Sequence, residues 1–98
     1  MQELKLKYSR HLNNRLSLRK IEYKLAEKIF YQAKERYLDV KTGYLIATMK
    51  VNIYDKLREV MLAYIISGDI ATLLTIHPLK KGQKERRLKT GRWRKYNE

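Results

Sequence analysis

The chain contains no cysteine. Disulfides, Cys-ligated zinc and thiol nucleophiles are excluded together. Proline occurs once and glycine four times, too few for long linkers. Acidic residues are scarce as well: 10 Asp and Glu stand against 23 Lys and Arg, a net charge of +13. Long apolar runs are missing. The longest, VMLAYII from Val60 to Ile66, falls far short of the ~20 residues a membrane span needs. The opening MQELKLKYS has no apolar h-region, so no signal peptide is expected and the plain expectation is a cytoplasmic protein without a membrane partner.

What is present is a 98-residue chain, 44% hydrophobic, read as a single domain over 1–98 with a basic C-terminal segment at 80–98. Solubility alone needs a net charge of magnitude roughly 2–8 in a small domain. An excess of +13 points to a polyanionic partner.

The apolar pattern changes period along the chain. ELKLKYS alternates, with Leu4, Leu6 and Tyr8 against Glu3, Lys5 and Lys7, and predicts a short exposed strand or arm. Ser9 is a candidate N-cap for one or two helical turns carrying Leu12 and Leu16. His11 and Arg15 are four apart, on one face of that helix. Ser17 is read as the cap of a longer helix with Leu18, Ile21, Leu25, Ala26, Ile29, Phe30 and Ala33 on its apolar face. From Glu35 the period is two. ERYLDV, YLIATMKV, LREVMLAYII and IATLLTIH predict four strands, with KTG and SGD as turns and NIYDK as a connection. LREVMLAYII is apolar on both sides, as a central strand covered on two faces must be. Helices preceding an antiparallel meander define an α+β class, followed here by a basic tail.

That tail holds nine basic residues, Lys80, Lys81, Lys84, Arg86, Arg87, Lys89, Arg92, Arg94 and Lys95, against Glu85 and Glu98. Its net +7 is more than half of the chain's +13. Arginine offers a planar fork to phosphate and lysine a point charge. Trp93 and Tyr96, set among the arginines, suit stacking on unpaired bases, although Trp93 has the alternative of packing back on the sheet. Lys80, Lys81, Arg86, Arg87, Arg92 and Trp93 are the expected RNA contacts.

Two histidines, His11 and His77, carry the candidate acid–base chemistry. Both sit in basic surroundings, which lower a histidine pKa and favour the neutral base. A base that removes a ribose 2′-OH proton, cations on the phosphorane and an acid for the 5′-oxygen suffice to cut RNA without a metal. The competing reading of each histidine is structural: a cap at a helix start, or the end of a strand before Pro78. Two histidines without a nearby carboxylate pair do not make a metal site. No Gly-rich phosphate loop occurs and no Ser or Thr has a nucleophile setting, so no cofactor is expected.

SRHLNNR, RYLDVKTGYLIA, LLTIHPLKK and QKERRLKTGRW occur in an order and spacing that resembles a small family similar to the BrnT and RelE type of toxin. The resemblance runs from about Tyr8 to Trp93. It implies a RelE-like fold, with N-terminal helices on a curved antiparallel sheet of about four strands. It also implies a metal-independent endoribonuclease acting on mRNA, ribosome-associated in some members, with an acidic antitoxin covering the active face. The matching positions would be His11 and Arg15 on the helix, Thr75, His77 and Pro78 at the sheet end, and Arg86, Arg87, Arg92 and Trp93 in the basic segment. The expectation is thus an RNA-binding toxin-like domain with His11, His77 and Arg15 as catalytic residues. The rival readings are a nucleic-acid-binding module without catalysis and a protein-interaction domain whose basic face docks an acidic partner.

Overall fold

The computed structural model describes residues 4–96, so Glu3 and Glu98 lie outside the described residues. The order of elements is β1 (Lys5–Tyr8), α1 (Arg10–Leu18), α2 (Tyr23–Gln32), β2 (Glu35–Asp39), β3 (Leu45–Ile53), β4 (Lys56–Ser67), β5 (Ile70–Pro78), α3 (Gln83–Lys89) and β6 (Trp93–Lys95). The class is α+β. The sheet has six strands in the order β1-β5-β4-β3-β2-β6, mixed because β1 runs parallel to β5. The four-strand antiparallel meander is there as β2 to β5, but the expected count of about four falls short by one strand at each edge. The alternation in LKLKY was too short to show that it joins the sheet, and WRK is shorter still.

Two cores form, one on each face. Alternate residues of β4 divide between them: Val60, Leu62 and Tyr64 join the core under α1 and α2, while Met61 and Ala63 join Tyr37, Ile46, Leu79 and Trp93 on the opposite face. The two-sided apolar pattern of the central strand has this physical origin. Burying Leu62 or Ile76 completely is worth roughly 1.5–3 kcal/mol each.

α1 begins where expected. The Ser9 hydroxyl accepts from the Leu12 N–H at 3.0 Å and donates to the Leu74 carbonyl at 2.9 Å, so the cap also ties the helix to β5. The helix ends differently. Ser17 lies inside α1 and does not cap a second helix; Leu18, placed on the apolar face by its spacing, is 82% exposed. Lys20 takes φ 53, Ile21 N–H bonds the Leu16 carbonyl and Lys20 N–H bonds the Ser17 carbonyl. This is a Schellman termination with the Ile21–Leu16 apolar contact that accompanies it. Lysine in the position usually held by glycine hid the break. α2 therefore starts at Tyr23 and buries Ala26, Ile29 and Phe30.

The carbonyl of Phe30, in the last turn of α2, accepts from Arg36 of β2. The same guanidinium donates to the Tyr64 hydroxyl at 3.0 Å and lies over the Phe30 and Tyr64 rings. Arg36 thus caps α2 and ties it to the sheet. No helix among the described residues is long and apolar enough to cross a membrane.

Candidate nucleic-acid interface

The basic segment is not a free tail. Gln, Lys, Glu, Arg, Arg, Leu and Lys are all good helix formers, and they make α3. The chain then turns at Gly91, φ 79, and pairs β6 antiparallel to β2 with Trp93 opposite Asp39. α3 lies over the face opposite α1 and α2. Lys84 fixes it there, reaching Glu59 of β4 at 2.8 Å and Glu35 of β2 at 3.0 Å. Thr48 of β3 donates to the same Glu35 oxygen. Burial works against a charged Lys84, but the hydrogen bonds it donates to Glu59 and Glu35 outweigh it and raise its pKa above the ordinary lysine value.

Beside α3 lies a hollow of about 190 Å³. Its floor is apolar, made by Ile46, Met61, Ala63 and Trp93; its polar wall is Thr42, Tyr44, Thr75, His77, Gln83 and Arg87, with Asp39 and Arg92 at one end. Gln83 and Arg87 are four apart and share one side of α3, the side that meets this hollow.

His77 reaches the hollow because of a bulge. Leu73 pairs with Tyr64 but Thr75 pairs with Ala63, so Leu74 is the extra residue of β5. Ala71 and Leu73 face the helices; strict alternation would send Thr75 and His77 the same way. After the bulge Ile76 faces the helices, and Thr75 and His77 face α3.

Burial, then the Arg15 charge, then Arg19 and Arg87, hold the His77 imidazole below the usual histidine value, against one opposing backbone hydrogen bond. Arg15 comes close because its Nε–H donates to the Ile76 carbonyl at 2.8 Å, on the edge of β5 that β1 leaves open. The result is a neutral base ringed by cations.

Arg92 is committed elsewhere: it pairs with Asp39 at 3.3 Å through both Nε and Nη2. Burial raises the Asp39 pKa, but Arg92 and the Lys41 and Thr42 N–H groups together bring it below the ordinary value. Arg87 has no carboxylate partner among the described residues.

The structure thus brings together His77, Thr75, Arg87, Arg92 and Trp93, with Arg15 alongside. It does not bring His11 into the hollow; His11 is exposed on α1, one turn before Arg15. Lys80 and Lys81 line a separate hollow with Arg58 on the other flank of α3, and Arg86 is exposed outside both. Trp93 is not a free stacking residue: it is 3% exposed and stacked on Tyr37 at 5.6 Å between ring centres. The packing alternative holds for it. Sequence reasoning missed Gln83, Thr42, Tyr44 and Arg19; the helix-forming run QKERRLK, with its four-residue spacing of Gln83 and Arg87, was the available signal.

A larger hollow, about 420 Å³, is lined by Glu35, Glu59 and Lys84, where the one ammonium is shared between the two carboxylates. Among the described residues no group of three or more His, Cys, Asp or Glu is placed to hold a metal ion. Comparison with protein-family models, with curated proteins and with solved structures gave no match to this chain.

Proposed function

We propose that this protein binds single-stranded RNA at the hollow beside α3 and cleaves it without a metal ion. The observation that carries the reading is the meeting of a base held neutral, His77, with guanidiniums of Arg15 and Arg87 that no carboxylate among the described residues neutralises. In the proposed reaction His77 takes the 2′-OH proton and the 2′-oxygen attacks the adjacent phosphorus. The bond to the 5′-oxygen breaks, leaving a 2′,3′-cyclic phosphate and a 5′-hydroxyl. Arg87 and Arg15 stabilise the charge on the phosphorane. With no second imidazole lining the hollow, the leaving oxygen takes its proton from water.

The same reading places the fold with the RelE-like toxins, supported by two N-terminal helices packed on one face of the β2–β5 meander. It makes the protein a cytoplasmic toxin, and the basic face around α3 is then where an acidic antitoxin docks. Lys80, Lys81 and Arg86 serve as outer phosphate contacts beyond the hollow. Incubating the pure protein with RNA in EDTA, with and without ribosomes, tests it: cyclic-phosphate fragments are expected, and intact RNA under both conditions rejects cleavage.

A second reading, binding without cleavage, is favoured by the position of His11 outside the hollow, which leaves no second imidazole to protonate the departing oxygen. Under it, RNA is retained intact and His77→Ala leaves affinity nearly unchanged.

A further inference from the structure

We infer that the hollow beside α3 is a subsite for one unpaired nucleobase, with the phosphate of the same nucleotide held at its mouth by Arg87. The inference rests on the RNA-binding reading above and adds what is recognised there.

A site for phosphate alone would be a shallow cluster of cations. Here the cations stand around an apolar floor of Ile46, Met61, Ala63 and Trp93. A volume of about 190 Å³ admits one planar ring system and excludes a base pair. The wall offers groups suited to the edge of a base. The Gln83 side-chain oxygen is occupied by the Lys80 N–H at 2.9 Å, so its amide N–H groups remain for a ligand. The Thr42 oxygen accepts from the Tyr44 N–H, which leaves its hydroxyl proton as a donor. The indole N–H of Trp93, in the floor, is buried and finds no acceptor among the described residues. Buried donors without partners are uncommon, and acceptors on a base ring are the complement of such a wall. Arg87 supplies the charge for the phosphate.

Trp93 is the only tryptophan, so its emission reports on this hollow in the intact chain. The experiment titrates the protein with the four nucleoside 5′-monophosphates, ribose 5-phosphate, inorganic phosphate and a short single-stranded RNA. At least one monophosphate is expected to shift Trp93 emission saturably and to bind about tenfold more tightly than ribose 5-phosphate, in line with what burying part of one base on an apolar floor contributes. Thr75→Met, which fills the hollow and leaves the arginines, should remove that preference. Equal binding of ribose 5-phosphate and all four monophosphates overturns the base subsite. So does RNA that binds without altering Trp93 emission, and in that case the RNA-binding reading survives. Failure of the RNA itself to bind overturns both.

Discussion

The Arg15 side chain donates to the backbone carbonyl of Ile76 at 2.8 Å, one residue before His77. β1 covers β5 only as far as Leu73, and the rest of that edge is met by α1. One hydrogen bond therefore protects an exposed strand edge and sets a fixed positive charge near an imidazole. Structure and electrostatics share the same side chain.

Because His77 is held below the usual histidine value of 6.5, the cleavage proposed here should rise with pH and level off below that value. Initial rates on a defined RNA between pH 4.5 and 8 check this. His77→Ala should lower the rate by about 10²–10⁴. His11→Ala should change it little, and a plateau near pH 9 would assign the base to another group.

Stability should follow pH in the same window. The unfolded chain takes up the histidine proton first, so the contribution is complete above pH 6.5 and is lost as pH falls toward the folded-state value. Thermal melts from pH 8 to 5 should show this decline in the native protein. In His77→Gln the decline should be smaller, with the part due to carboxylates such as Asp39 remaining at lower pH.

If Arg87 meets a phosphate, Arg87→Ala should reduce the log–log salt slope of RNA binding by about 0.7. Arg86→Ala, one position away but outside the hollow, should affect affinity less. Fluorescence anisotropy from 50 to 300 mM salt distinguishes them, and identical slopes would remove the hollow from the RNA footprint.

Asp39 accepts from Arg92 and from the Lys41 and Thr42 N–H groups while 5% exposed. Asp39→Ala should cost about 2–3 kcal/mol in denaturant unfolding, since it strips a half-buried guanidinium and two turn donors of their acceptor. A loss below about 0.5 kcal/mol would mean that water replaces the carboxylate there.

Lys20, at φ 53, carries a side chain where the backbone favours glycine. Lys20→Gly should raise stability by about 1 kcal/mol through relief of that strain. An unchanged urea midpoint would show that the added freedom of the unfolded chain offsets it.

The parts of the fold readable in the sequence are those set by local periodicity and local chemistry. Ser9 is a cap because its hydroxyl stands before a helical repeat, and it caps α1. LREVMLAYII announces two covered faces, and β4 lies at the middle of the sheet between two cores. The excess of Lys and Arg from Lys80 onward needs no coordinates. The end of α1 was not readable, because Lys20 adopts a conformation that its side chain disfavours and that the Leu16–Ile21 contact supports.

For the candidate site, composition named the imidazoles and guanidiniums, but only the tertiary structure chose among them. The extra residue at Leu74 turns His77 toward α3. Lys84, held by Glu35 and Glu59, lays α3 across the sheet so that Arg87 faces that imidazole. A bulge and a long-range ion pair depend on residues far apart in the chain, and a repeat of two or 3.6 residues carries no information about either.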